Sequence, residues 1–241
     1  MDSFIYTNVG GRSVNEDSVD KLEKVNSDAI YIVADGLGGH GKGEVASKLV
    51  VDSLIEMADN ADIAAEEFFE QAVLSAQDTL MSAQHDLNAS DDMKTTVVCL
   101  KICSGKAQWC HVGDTRLYMW RKNKLLIRTL DHSVPQMLVA SGEIKEKQIR
   151  FHEDRNRLIR VLGTKWDTPK YDISEVADVE SGDAFLLCTD GFWELITERE
   201  MAKCLKKSSS AQEWLERMVK IVNKRGAKTD MDNNTALGVI V

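Results

Sequence analysis

Four aspartates stand at the edges of strand-like runs. Asp35 follows Ile30-Tyr31-Ile32-Val33-Ala34, Asp114 follows Cys110-His111-Val112-Gly113, Asp190 follows Phe185-Leu186-Leu187-Cys188-Thr189, and Asp232 precedes the terminal apolar run. A carboxylate at the end of a buried strand is rigid and half desolvated, so its charge is penalised unless something positive lies close. Several such groups converging from separate strands would repel one another. A bound hard cation relieves that repulsion, because it prefers carboxylate, carbonyl and water oxygens. Glycines beside Asp35, Asp114 and Asp190 leave room for close approach. The segment Arg12-Ser13-Val14-Asn15-Glu16-Asp17 adds two acids and a guanidinium suited to fork-like binding of phosphate. Metal-clustered carboxylates beside a phosphate-binding arginine describe a two-metal hydrolase. Each element alone is weak. A single Asp-Gly after a strand is usually a turn, and Gly36-Leu37-Gly38-Gly39-His40-Gly41 lacks both the Lys-Ser/Thr of a P-loop and the spacing of a dinucleotide fingerprint.

The elements that must position these residues are legible in the patterning. Phe4 to Val9 and the almost wholly apolar Ala29 to Ala34 predict strands. From Gly43 to Ala58, residues Ala46, Leu49, Val50, Ser53 and Met57 share a helical face. From Ala64 to Asp86, residues Phe69, Ala72, Val73, Ala76, Leu80 and Ala83 do the same. Strands follow over Thr95–Cys103, Ala107–Val112, Leu117–Arg121 and Lys124–Thr129, with turns at Ser104-Gly105 and Lys122-Asn123. Ser133 to Asp172 is charged and irregular, with room for two short helices. Ala184–Cys188 reads as a buried strand, Glu198–Lys206 and Ala211–Lys224 as helices, and Thr235–Val241 as a closing strand. The order predicts an α+β fold with antiparallel sheets, two of them packed face to face with helices outside. With two prolines, no repeat and no linker-like tract, residues 1–241 are expected to form one domain.

Composition narrows the function classes. A net charge of −9 and a pI near 5.1 argue against nucleic-acid binding and against an anionic membrane surface. No apolar run is long enough to span a bilayer, and the start does not resemble a signal peptide, so a cytoplasmic location is expected. Five cysteines, an odd number, read as free thiols, and Cys188 reads as core. Trp193 and the other tryptophans are expected to pack. Gly163 and Thr164 are candidates for a turn over the metals.

The motifs together resemble a known family. Arg12…Asn15-Glu16-Asp17, Val33-Ala34-Asp35-Gly36-Leu37-Gly38-Gly39-His40, Val112-Gly113-Asp114-Thr115-Arg116, Leu187-Cys188-Thr189-Asp190-Gly191 and Asp232-Asn233-Asn234-Thr235 are similar to the ordered motifs of the PPM, or type-2C, protein phosphatases, most of all the compact bacterial branch. The resemblance implies a four-layer αββα sandwich with manganese or magnesium at one end, two ions with a weaker third site. By motif, Asp35, Asp190 and Asp232 would hold the first metal. Asp35 and the Gly36 carbonyl would hold the second, with Glu16 or Asp17 acting largely through water. Asp114 with Asp190 would supply the third. Arg12 would bind the substrate phosphate, and turnover would depend on Arg12, Asp35 and Asp190. Asn233 and His40 would be supporting residues, and residues 133–172 a flap bordering the cleft. Eukaryotic relatives carry a histidine two residues after the first aspartate; Leu37 stands there in this chain.

The implied activity is hydrolysis of phosphoserine and phosphothreonine in proteins by water activated between two cations, reversing a bacterial Ser/Thr kinase. The protein is expected to act as a monomer. Two other readings compete. One is a fold relative that only binds or regulates, which would have lost metal-site acids. The other is an unrelated hydrolase of small phosphate esters, which the ordered motifs oppose.

Overall fold

A computed structural model describes residues 1–25, 28–38, 42–89 and 92–241. In chain order the strands and helices are β1 (Asp2–Asn8), β2 (Asp17–Glu23), β3 (Ala29–Leu37), α1 (Gly43–Asn60), α2 (Phe68–Asp86), β4 (Lys94–Thr95), β5 (Val97–Cys103), β6 (Lys106–Val112), β7 (Arg116–Arg121) and β8 (Lys124–Arg128). There follow α3 (Val134–Ala140), a 3-10 helix (Glu146–Phe151), β9 (Asp172–Ile173), β10 (Ala177–Asp178), β11 (Ala184–Cys188), α4 (Asp190–Trp193), α5 (Glu198–Leu205), α6 (Ala211–Gly226) and β12 (Asn234–Ile240).

The strands form two antiparallel sheets, one ordered β1-β12-β11-β7-β8 and the other β10-β6-β5-β3-β2, with β4 and β9 added at the margins. Strand β3 shows why they stack. Its side chains alternate between two apolar environments, with Ala29, Tyr31 and Val33 facing the space between the sheets. Ile30, Ile32 and Ala34 face α1 and α2. On the far side, Tyr118, Trp120, Leu186 and Ala236 of the other sheet meet Trp214, Leu215 and Met218 of α6. Both helical layers cover sheet faces, giving the expected four-layer αββα sandwich.

The buried face of α1 is Gly43, Ala46, Ser47, Val50, Val51, Leu54 and Ala58, with Leu49, Ser53 and Met57 on its margin. It follows i+3 and i+4 spacings, turned slightly from the stripe expected, with Ala46 and Val50 common to both. Helix α2 starts at Phe68, not Ala64, because the Asp62 carboxylate accepts from the Ala64 N–H and holds that stretch as a turn. Strand β2 was absent from the sequence reading. Its stretch Asp17-Ser18-Val19-Asp20-Lys21-Leu22-Glu23 is charged because it is a sheet edge open to solvent. The turns at Ser104-Gly105 and Lys122-Asn123 are present, all four residues having positive φ. None of the described helices is long and apolar enough to cross a membrane.

Candidate active site

The acids converge. A cleft of about 690 Å³ is lined by Arg12, Glu16, Asp35, Gly36, Asp114, Asp190, Asp232 and Asn233, with Asn156 and Leu158 of the flap on its border. These residues come from six separate parts of the chain, brought to one end of the sandwich.

Each acid is held by a different local device. Asp35 does not end its strand as expected. β3 runs on to Leu37, because Gly36 and Leu37 pair with β4. The Asp35 carbonyl accepts from the Thr95 hydroxyl at 2.8 Å and the Thr96 N–H at 2.9 Å, so the strand is pinned at the point where its side chain enters the cleft. A Cβ on Gly36 would run into the carbonyl oxygens of Gly43 and Glu16; only glycine lets the chain pass there. Asp114 occupies the turn between β6 and β7, after Gly113 at φ +100. Asp190 opens α4. Asp232 precedes β12 and pairs with the Arg12 guanidinium at 2.9 Å. Asn233 ties the loops together. Its side chain accepts from the Glu16 N–H at 2.8 Å and donates to the Val9 and Val14 carbonyls, each at 2.9 Å.

The two acids at the start of β2 separate. Glu16 lines the cleft. Asp17 lies behind it, directly opposite Asp35 in the β2–β3 register, with one oxygen accepting from the Thr189 hydroxyl at 3.0 Å. Its other oxygen, Oδ1, is buried with no hydrogen-bond partner. His40 lies outside the described residues, as do Gly39 and Gly41. Gly163 and Thr164 do not reach the cleft. Their backbone is bound to α2 instead: Gln77 accepts from the Gly163 N–H and donates to the Thr164 carbonyl, and Gln84 donates to the Gly163 carbonyl.

The electrostatics of the cluster favour a positive partner. Burial, then the charges of neighbouring aspartates, pushes the carboxyls of Asp35 and Asp114 well above the usual range. Burial raises Asp17 to about 7, and Asp190 to about 6 with the Asp232 charge adding to it. The nearby guanidiniums only partly offset this: Arg155 acts on Asp190 and Arg116 on Asp114, yet both carboxyls stay raised, and Arg12 is half exposed and paired with Asp232. Oxygen donors with an orphaned buried oxygen among them fit divalent cations.

A second group of metal-capable side chains, His111, His132 and Asp172, lies apart from the cleft. The Gly113 N–H points at His132 Nδ1, 3.1 Å away, and so requires a lone pair there. The ring proton is then on Nε2, facing Asp172 Oδ2 at 3.1 Å. With one nitrogen accepting and the other donating, neutral His132 has no lone pair left for a metal.

Comparison with known proteins decides the family. The sequence profile of protein phosphatase 2C matches residues 7–234. The chain belongs to the protein phosphatase 2C family. As a member it is a metal-dependent protein serine/threonine phosphatase. It is 32% identical over 240 residues to the serine/threonine phosphatase stp of Listeria welshimeri, an alignment covering 94% of this chain and 90% of that one. The serine/threonine phosphatase of S. agalactiae superposes with a TM-score of 0.85 at 26% identity, covering 99% of both chains. The catalytic domain of PstP, solved in complex with two manganese ions, has the same fold, with a TM-score of 0.84 at 24% identity over 99% of this chain and 97% of that one.

Sequence reasoning gave no role to the threonines of this phosphatase, although Thr115, Thr189 and Thr235 stand within its motifs. Thr95 and Thr96 hold Asp35, Thr115 bonds Thr96 at 2.5 Å, and Thr189 joins Asp17 to the Thr235 N–H at 3.0 Å. The paired Thr95-Thr96 at a strand start was the available signal. Arg116, named only as the last residue of a motif, carries a role that the sequence does not show. Its guanidinium is buried and forked onto Asp131 at 2.7 and 2.6 Å, directly after the Asp114 turn.

Proposed function

We propose that the cleft acts on phosphoserine and phosphothreonine with Asp35, Asp190 and Asp232 holding one divalent cation, and Asp35 with the Gly36 carbonyl holding a second. Glu16 or Asp17 would support the second through water, and Asp114 with Asp190 would hold a third, weaker ion. Manganese or magnesium suits these donors, and manganese accompanies the same fold in PstP. When bound, the cations supply Lewis acidity that makes water nucleophilic near neutral pH and draws charge from the phosphoryl oxygens.

The chain's own residues do the rest. Arg12, raised above its ordinary pKa chiefly by Asp232, stays charged and presents its fork at the cleft edge, where a phosphate dianion exchanges for part of its contact with Asp232. Fixed carboxylates need no reorganisation when charge develops on the transferring group. With the aspartates committed to cations, the attacking group in this reading is water, and no protein nucleophile is needed. Leu37, part-buried near the cleft floor, has no proton to give, and the family histidine role has no holder at that position. Asn156 and Leu158 place the flap where residues flanking the phosphoamino acid would pass.

The convergence of Asp35, Asp114, Asp190 and Asp232 with Arg12 on one cleft carries this reading. The physiological task we infer is reversal of a Ser/Thr protein kinase. The direct test is manganese-dependent release of phosphate from a phosphothreonine peptide, with Asp35→Asn as control. Turnover should appear only with the ion and vanish in the variant. Retained activity in Asp35→Asn would overturn the assignment.

A further inference from the structure

Trp193 ends the short helix that Asp190 begins, and it is buried, with 1% of its surface exposed. Its indole N–H donates to the backbone carbonyl of Asp114 at 3.0 Å. The Arg116 guanidinium carbon lies 3.4 Å from the centroid of its ring. That guanidinium is held in turn by Asp131 and by the Tyr118 hydroxyl at 3.1 Å. The flap grips the same residue. Arg150, on the 3-10 helix, donates to the carbonyls of Trp193 and Ile196 and sits 5.6 Å from the Trp193 ring centroid.

Asp114 needs such a hold. It lies in a turn, outside any strand ladder, so its peptide is not fixed by sheet pairing. On one side Gly113 is held by His132, through Gly113 N–H to Nδ1 and His132 N–H to the Gly113 carbonyl at 2.9 Å. On the other, the Asp114 carbonyl is held by the indole. Fixing the peptide on both sides of a Cα fixes the direction in which the carboxylate leaves the backbone.

We propose that Trp193 is a positioning residue for Asp114, orienting its carboxylate toward the cation that Asp114 helps hold, with Arg116 and the flap's Arg150 keeping the indole in place. This rests on the reading above that Asp114 takes part in cation binding. Packing alone would be satisfied by any large apolar ring; positioning requires the N–H.

The test is manganese titration of the full chain by calorimetry, on wild type, W193F, Asp114→Asn and the double variant. W193F keeps a ring and loses the donor. One buried hydrogen bond corresponds to roughly a tenfold change in affinity. W193F should weaken the Asp114-dependent ion by about that factor and leave the others unchanged. In the Asp114→Asn background it should change nothing further. Arg150→Lys, which keeps the charge beside Glu198 at this largely buried position but loses the fork on the Trp193 and Ile196 carbonyls, should weaken the same ion by roughly threefold; if W193F fails to fold, unchanged manganese binding in Arg150→Lys overturns the proposal. The proposal is overturned if W193F binds like wild type, or weakens all ions alike, or acts equally in the Asp114→Asn background. Wild-type protein that takes up no manganese, or Asp114→Asn that loses none, would instead bring down the cation reading and the proposal with it.

Discussion

Replacing Asp190 by asparagine should have opposite effects on stability and on turnover. In the metal-free protein its carboxyl is raised from 3.8 to about 6. The folded state therefore keeps a proton that the unfolded chain has released between about pH 4 and 6. Stability contributed by that proton is complete below pH 4 and is lost as pH rises through 6. At pH 8 the ionised group has lost about 3 kcal/mol, two pKa units at 1.36 kcal/mol each. Asparagine carries no charge to desolvate, and its Oδ1 can still accept from the Gly191 N–H as the aspartate does. Chelator-treated Asp190→Asn should accordingly melt above chelator-treated wild type at pH 8, by roughly 6 to 12 °C for a chain of this size. At pH 4 the gap should close. Added manganese should raise the melting point of wild type much more than that of the variant, and phosphopeptide turnover should be lost. Thermal melts with and without chelator at both pH values give the three stability comparisons, and a phosphopeptide assay gives the fourth. A chelated variant that melts at or below wild type at pH 8 would refute the view that uncompensated charge dominates this site.

Arg12→Ala should lower kcat/KM for a phosphothreonine peptide by roughly 10²-fold while manganese uptake persists; equal rates in steady-state assays would count against phosphate binding by Arg12. Asp131→Ala leaves the buried Arg116 guanidinium without its partner and should destabilise the fold by about 3–5 kcal/mol, read as a fall in urea midpoint. Gly36→Ala forces a methyl against two carbonyl oxygens and should cost about 1–3 kcal/mol and most of the turnover, measured by denaturant melts and peptide assay. Between about pH 4 and 7 the chelated wild-type protein should lose stability, because Asp17 and Asp190 are both raised; saturating manganese should flatten that slope.

Much of this was legible in the chain because the chemistry is carried by side-chain type and the scaffold by periodicity. Aspartates beside glycine at the edges of apolar runs marked Asp35, Asp114 and Asp190, and the structure brings them to one cleft. Alternation and helical stripes gave the four layers. What stayed hidden depends on pairing across distance. Strand β2 lacks an apolar signature because only its partner strand makes it a strand, and its register alone reveals that Asp17 faces Asp35. The threonines around Asp35 act through hydroxyl contacts to backbone, which no spacing announces. Trp193 reads as core and is core; its bond to the Asp114 carbonyl requires coordinates.

The two anchorages of the flap have a consequence for how this enzyme can diversify. One end is clamped by Arg150 to the carbonyls after Asp190, and the other by Gln77 and Gln84 to the opposite helical layer. The stretch between them, which carries Asn156 and Leu158, is tied down along its length as well, by backbone bonds between Arg157 and Val134 and between Ile159 and His132, and by the Arg155–Glu194 pair. Exchange of the exposed side chains on this backbone would alter the border of the cleft without loosening the acids beneath it.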